Sequence, residues 1–138
     1  MLTEARRRIR ADSQLASLSN DKLDLVRLGV GNIPMKDNSV DALHAGAAMH
    51  CWPDLDSAIS EIHRVLKPGG RYFATTFLAG WFRAVGAESG QTAANQQAFQ
   101  LFDSTDTLRD LLERNGFESS KVSIEVVGPA CVVIRCEK

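Results

Sequence analysis

The hydrophobic pattern is sharpest over residues 53–77, where a helix, its end and the following strand are readable from the spacing of apolar side chains. Apolar residues recur there at the three- and four-residue steps of one helix face: Leu55, Ala58, Ile59, Ile62, Val65 and Leu66. Asp54 is placed to cap the helix start, and the Pro-Gly-Gly of residues 68–70 cannot continue a helix. The aromatic and β-branched run of residues 72–77 then predicts a strand that is buried on both faces.

Weaker patterns precede this unit. Residues 3–18 carry apolar side chains along one helical face and arginines around the rest, which predicts a surface helix with solvated arginines. Residues 23–30 and 40–47 are short, mostly apolar runs that predict two strands. The second of these, with the helix and strand that follow, forms a βαβ unit, so we expect parallel strands and a right-handed crossover.

Beyond residue 77 the pattern weakens and then returns. Glycines interrupt residues 78–92, which predicts a mobile surface connection, and residues 92–102 favour a loose helix. Ser104 is placed to cap another helix, which an Asn-Gly pair ends. Residues 122–127 and 130–136 flank a Gly-Pro pair, and so short a turn predicts an antiparallel hairpin.

Composition narrows the classes of function. The chain has 138 residues, of which 44% are hydrophobic, so it has room for one domain with a core. Its 16 basic and 17 acidic residues give no bulk reason to expect nucleic acid as a partner. No apolar run is long enough to span a membrane, and no secretory signal is recognisable. Three cysteines without a Cys-x-x-Cys spacing favour a reducing compartment.

Three blocks of sequence carry a resemblance to a known family. Residues 32–41 (NIPMKDNSVD) are similar to LPF-x-D-x-S-F-D, residues 61–70 (EIHRVLKPGG) to E-x-x-R-V-L-K-P-G-G, and residues 108–117 (LRDLLERNGF) to L-x-x-L-L-x-x-x-G-F. In this order and spacing they resemble class I S-adenosylmethionine (SAM)-dependent methyltransferases of the ubiquinone and menaquinone C-methyltransferase group. The wording around residues 45–54 is most similar to plant plastid members.

The resemblance implies SAM as the cofactor and gives it two segments. In the family, the loop after the third strand lies against the adenine; here that loop contains Gly29, Val30, Gly31, Asn32 and Ile33. Gly29 stands where the family has an acid, so the side-chain acceptor for the adenine amine is lost. The family segment beside the methionine part of the cofactor corresponds to Ala45, Gly46 and Ala47, whose small size lets the backbone come close. Alternatively, both segments are ordinary tight turns at strand ends.

The family's glycine-rich E/D-x-G-x-G-x-G turn has no counterpart in this sequence. The resemblance therefore implies an α/β fold with a partial Rossmann-like sheet, made of family strands 3 to 7, that is parallel except for a C-terminal antiparallel hairpin. Residues 1–138 are then a single truncated domain. Because family strands 1 and 2 lie between strands 3 and 4, we expect one of three outcomes. Strand 3 (residues 23–30) closes directly onto strand 4 (residues 40–47), a second chain or partner strand fills the gap, or the chain folds poorly alone.

Other chemistry is less well supported by the residues. His50 lies near the tip of the strand at which family substrates sit, so it is a candidate catalytic residue, although a histidine that only orients the loop or packs on Trp52 is the simpler interpretation. His44, His50 and Cys51 lack a second ligand cluster, so no metal is expected.

The function expected from the sequence is SAM-dependent methyl transfer to a small, apolar or quinone-like acceptor, weak or absent in this chain alone. The alternative is a non-catalytic interaction module that pairs through an open sheet edge, by self-association or with a partner. Resemblance favours the plastid as location; the chain itself shows no targeting segment, which otherwise favours the soluble cytoplasm.

Overall fold

The computed structural model describes residues 2–18, 23–84 and 101–138. The helices and strands are α1 (Leu2–Ala11), α2 (Ser13–Leu18), β1 (Val40–Ala45), α3 (Leu55–Val65), β2 (Leu66–Phe77), α4 (Ala79–Ala84), α5 (Thr105–Arg114), β3 (Val122–Val127) and β4 (Cys131–Glu137). Short 3₁₀ turns lie at Met49–Cys51 and Ser119–Lys121. None of the helices described is long and apolar enough to cross a membrane.

The four strands form one mixed sheet in the order β1-β2-β4-β3. β1 and β2 are parallel and are joined through α3, which confirms the predicted βαβ unit. β4 pairs antiparallel with both β2 and β3, and Gly128, with φ of +68°, allows the tight turn of the β3–β4 hairpin. This arrangement confirms the predicted α/β fold with a C-terminal antiparallel hairpin.

Helix α3 forms as its sequence predicts. The Asp54 carboxylate caps it by accepting a hydrogen bond from the Ser57 amide at 3.1 Å. One helix face is completely buried, through Ala58, Ile59, Ile62 and Val65. Together with α5, this face covers one side of the sheet and forms the core.

Strand β2 begins earlier than predicted, directly after α3 at Leu66. Three extra residues loop out of its pairing with β1, since Val40 pairs with Leu66 but Ala42 pairs with Arg71. Gly69 adopts φ of +76° in this bulge, and its neighbour Gly70 lies so close to other backbone that an added Cβ would be 2.8 Å from the Lys67 carbonyl oxygen. The two glycines therefore bend the strand instead of preceding it.

The predicted strand over residues 23–30 is wrong. Residues 23–28 are irregular, and the only pairing that the described residues show next to them is an isolated bridge between Gly29 and Asn32. Leu23, Val26 and Leu28 are exposed. A strand needs a neighbouring strand for its backbone hydrogen bonds, and within the described ranges none lies beside this segment. The segment does not close onto β1, which forms one edge of the described sheet.

Two further predictions differ from the structure. The helix expected over residues 3–18 is divided at Asp12, whose carboxylate accepts hydrogen bonds from the amides of Gln14 and Leu15 and so starts a second helix. The connection expected over residues 78–92 contains α4 in its first part. Its remainder, with most of the loose helix predicted over residues 92–102, lies outside the described residues.

Candidate functional site

The predicted segment of residues 45–47 lies where β1 ends. Ala45 is buried in the core, whereas Gly46 and Ala47 are exposed at the rim of the sheet. Ala47 adopts φ of +47°. This left-handed conformation is unfavourable in free energy for any residue that has a Cβ. The Ala47 amide donates a hydrogen bond to the Thr75 hydroxyl at 2.8 Å, which ties this strained residue to β2. The chain therefore presents small residues at this rim, with the His44 imidazole close to Gly46, where an added Cβ would lie 3.1 Å from its Cε1.

The candidate catalytic residue His50 follows in the 3₁₀ turn. Its side chain is only 8% exposed, and its ring meets Phe77 of β2 edge to face at a centroid distance of 5.2 Å. Burial lowers the pKa of His50, so the neutral imidazole is favoured. Met49 is completely buried beside it, and Trp52 is half-buried against the same core. This side of the rim is therefore apolar.

The other predicted segment, residues 29–33, forms a tight turn against α3. The Asn32 amide donates to the Gly29 carbonyl at 3.1 Å, which closes the turn. A Cβ on Gly31 would lie 3.3 Å from the Ser57 Cβ in the first turn of α3, so the backbone passes close to the helix there. Gly29, Gly31 and Asn32 are exposed, Val30 is half-buried, and Ile33 is 7% exposed.

Both predicted segments meet on one core. Ile33 from the turn and Ala45 from the end of β1 belong to the same buried cluster as Met49, and Val30 packs against it. Both segments thus contribute to the single buried core, with Ile33 and Ala45 facing inward and the glycines outward.

Two charged residues of α3 hold the turn and were not among the predicted site residues. The Arg64 guanidinium donates to the carbonyls of Ile33 and Met35, each at 2.9 Å, and it pairs with Asp37 and Glu61. The Glu61 carboxylate in turn accepts from the Ile33 amide at 2.8 Å. A signal for this pair was present in the sequence, as the E-x-x-R spacing of residues 61–64, but nothing in the sequence indicated its backbone targets.

The electrostatics of the pair favour its charged form. The Arg64 guanidinium, and secondly the Ile33 amide, lower the pKa of Glu61 from 4.5 to about 2. Glu61 and Asp37 raise the pKa of Arg64 further above its ordinary range. Both side chains therefore stay charged over the whole physiological range of pH.

The rim and the turn offer backbone and small side chains to a ligand, and they offer no metal site. Within residues 2–18, 23–84 and 101–138, no group of three or more His, Cys, Asp or Glu side chains could hold a metal ion. His44 instead lies against Phe73, with ring centroids 5.2 Å apart. Gly29 suits a ligand that lies against backbone, since nothing lies within 4 Å of the position of a Cβ there. At the rim the space is smaller, because a Cβ on Gly46 would lie 3.1 Å from Cε1 of His44.

Known proteins are similar to this chain in sequence. Residues 1–74, just over half of the 138, match the methyltransferase domain family. An uncharacterized chloroplastic methyltransferase of Arabidopsis thaliana is 55% identical over 60 residues, which are 44% of this chain and 17% of that protein. The ubiquinone/menaquinone biosynthesis C-methyltransferase of Brucella canis is 40% identical over 57 residues, which are 41% of this chain and 21% of that protein.

The fold is similar to solved structures as well. A SAM-dependent methyltransferase from Thermotoga maritima superposes with a TM-score of 0.64 at 24% identity, over 91% of this chain and 70% of that one. At this identity the likeness shows the fold alone. The matches span about a fifth of the length of the curated relatives. The resemblance that three sequence blocks predicted is confirmed, and the chain belongs to the methyltransferase domain family.

Proposed function

We propose that this chain supplies one side of a SAM-binding site in a methyltransferase that acts on a small, apolar or quinone-like acceptor. The observation that supports this most directly is that the turn at residues 29–33 and the rim at residues 45–47 are anchored in one buried core, through Ile33 and Ala45. When bound, SAM supplies an electrophilic methyl group, so the protein has to bind and align the two reactants rather than provide a nucleophile.

Each segment has a separate role in this proposal. The turn, with Gly29, Val30, Gly31, Asn32 and Ile33, faces the adenine, and the rim, with Ala45, Gly46 and Ala47, lies beside the methionine part. The fit is partial, because this sequence has no glycine-rich turn to hold the carboxylate end of the cofactor. We therefore expect weak binding by this chain alone.

The acceptor class rests on the apolar side of the rim. Trp52 and Phe77 are half-buried there, next to the buried Met49 and His50. An apolar surface beside the methyl donor suits an aromatic or quinone ring. The named activity of the Brucella relative agrees with this class. We assign His50 to packing and orientation of the rim rather than to proton transfer, since only 8% of it is exposed.

NMR titration of the ¹⁵N-labelled chain with S-adenosylhomocysteine tests the cofactor proposal. We expect shifts of the amide signals of Val30, Gly31, Gly46 and Ala47, with a dissociation constant of about 1 mM, which corresponds to a binding free energy of about −4 kcal/mol. Adenosine should shift only the first two, because it lacks the methionine part. Absence of shifts at 10-fold excess over that concentration, or shifts confined to other parts of the chain, would contradict the proposal.

A second function is favoured by one observation, the edge position of β1. In the described structure, only β2 pairs with β1, so its other side can accept a strand from a second copy or another protein. Sedimentation over a range of concentrations separates the proposals: a tight dimer that does not respond to S-adenosylhomocysteine supports the interaction module, and a monomer that binds the ligand argues against it.

The plastid is the proposed location, because the plant relatives carry that designation. Fractionation of source cells, with an antibody raised against this chain, would test it: recovery outside plastids would contradict the proposal.

A further inference from the structure

Residues 33–39, which lead from the candidate adenine turn to β1, have little structure of their own. Their one internal backbone hydrogen bond runs from the Met35 amide to the Ile33 carbonyl at 2.7 Å. The Ser39 hydroxyl also donates to the Lys36 carbonyl, at 2.6 Å. Most of the segment's polar contacts with the rest of the molecule go to α3: the backbone amides of Asn38 and Ser39 donate to the last carbonyls of the helix, at 3.0 and 2.9 Å. The helix beside it therefore supplies more of the hydrogen bonds that fix this segment than the segment supplies itself.

Arg64 makes most of the side-chain contacts to this segment. Its Nη2 lies 2.9 Å from the Ile33 carbonyl oxygen and 2.8 Å from a Glu61 oxygen, and its Nη1 lies 2.9 Å from the Met35 carbonyl oxygen. Its Nε donates to the other Glu61 oxygen at 2.7 Å. Its Nη1 also donates to the Asp37 carboxylate. The planar guanidinium thus serves two carbonyls and two carboxylates at fixed angles, which the single ammonium group of a lysine cannot reproduce.

Glu61 also binds the turn directly. One of its oxygens accepts from the Ile33 amide at 2.8 Å, so both the amide and the carbonyl of Ile33 are bonded to α3. The Arg64 and Glu61 side chains are 32% and 20% exposed, so water competes with these bonds only in part. Ile33 is the residue through which the turn enters the core.

We propose that Glu61 and Arg64 are positioning residues of the cofactor site, which hold the turn at residues 29–33 in place through the backbone of Ile33 and do not touch the ligand themselves. This inference rests on the proposed function for its ligand, but its geometric part is independent of any ligand. It assigns a role to two charged residues of the E-x-x-R-V-L-K-P-G-G block.

The experiment compares the wild type with Arg64→Lys and Glu61→Gln. A matched control is Arg114→Gln, which removes another arginine that bonds both oxygens of a carboxylate, Asp56, at 2.6 and 2.9 Å. Native-state hydrogen exchange of the Ile33 amide is the first readout. We expect at least about tenfold faster exchange at Ile33 in both test variants and no change at Ile33 in the control.

The second readout is the pattern of shifts on titration with S-adenosylhomocysteine. In Arg64→Lys, the shifts of Val30 and Gly31 should be lost, and those of Gly46 and Ala47 should persist. General destabilisation of the fold would instead weaken the shifts of all four residues together. A ligand contact made directly by Arg64 and shared by the two segments would do the same.

The outcomes are distinguishable. Unchanged exchange at Ile33 in Arg64→Lys overturns the inference whatever the ligand does. Faster exchange with an unaltered pattern of shifts overturns the link to the cofactor. A wild type that shows no ligand shifts contradicts the proposed function, and with it the role in the cofactor site, while the exchange data still report whether α3 holds the turn.

Discussion

At the scale of single residues, Tyr72 combines favourable packing with an unfavourable polar group. The side chain is 1% exposed, and its ring stacks on Phe117 at a centroid distance of 6.1 Å. Its hydroxyl has no hydrogen-bond partner among the described residues. Burial raises the pKa of Tyr72, with a smaller contribution from Cys136. The hydroxyl therefore remains neutral and loses its hydration on folding.

Tyr72→Phe is expected to stabilise the protein. The variant keeps the ring and its stacking but removes a buried hydroxyl, so the free energy of unfolding should rise by about 1 kcal/mol. Urea unfolding followed by circular dichroism measures this. Tyr72→Leu, which also loses the ring stacking, should be less stable than Tyr72→Phe. A loss of stability in Tyr72→Phe would show that the hydroxyl has a partner, such as an ordered water.

Two glycines with positive φ allow a backbone effect to be separated from a packing effect. Gly128 adopts φ of +68° with nothing within 4 Å of the position of a Cβ, whereas a Cβ on Gly116 (φ +106°) would lie 2.9 Å from Cε1 of His63. Gly128→Ala should cost only the conformational strain, about 1 kcal/mol. Gly116→Ala should cost about 1–2 kcal/mol more, because the imidazole must move. Equal losses in thermal unfolding would contradict this.

At the scale of elements, Lys138 links the end of α3 to the loop before β1. Its Nζ donates to the carbonyl oxygens of His63 at 2.7 Å and Arg64 at 3.4 Å, and to the Asn38 side chain at 2.8 Å. A cation at the carbonyl end of a helix is favourable because the helix dipole is negative there. The ammonium group thus satisfies carbonyls that the helix leaves without intrahelical partners.

Lys138→Met is expected to lower the free energy of unfolding by about 1 kcal/mol through loss of these bonds. The matched control is Lys67→Met, which removes an ion pair to Asp41 whose side chains are 44% and 83% exposed. Such a surface pair contributes little, so the control should change stability by less than about 0.5 kcal/mol. Equal effects of the two variants in urea unfolding would show that the bonds to α3 are not stabilising.

At the scale of the whole molecule, stability depends on pH through two kinds of groups. Burial lowers the pKa of His50 and His63, and the positive charge of Lys138 lowers that of His63 further. The Arg114 guanidinium lowers the pKa of Asp56, and Arg64 that of Glu61, each to about 2. In all four groups the folded state binds protons less readily than the unfolded state.

Acid should therefore destabilise the fold in two steps. The contribution of the histidines is present above their unfolded pKa of about 6.5 and is lost as the pH falls through their folded values. The contribution of the carboxylates is present above about pH 4 and is lost as the pH falls toward about 2. Urea unfolding at a series of pH values measures both steps, and added salt should weaken the second one only, because the carboxylate pairs lie near the surface.

A histidine variant identifies the first step. His63→Gln removes one of the two imidazoles whose pKa is lowered, so the loss of stability on acidification from pH 7 to about pH 5 should be smaller than in the wild type. Its second step should be unchanged. An unaltered first step would mean that His63 titrates equally in the folded and unfolded states.

How much of the molecule the sequence predicted depended on how local each signal was. The cap at Asp54, the buried face of α3, the cap at Ser104 and the turn of the last hairpin all formed as expected. Each of these rests on residues that lie within a few positions of one another. The apolar run of residues 23–30 failed as a predictor because a strand also requires a neighbour, which no local pattern contains.

The candidate site shows the same division. The sequence by itself determined the family, through three blocks in order, and it named the turn at residues 29–33 and the rim at residues 45–47. Only the tertiary structure decided that both segments rest on one core, that His50 is buried against Phe77, and that Arg64 holds Ile33 across 31 positions of sequence. The physical reason is that helix periods, caps and turns arise from near neighbours along the chain, whereas burial and backbone hydrogen bonds from side chains arise only once distant segments have packed together.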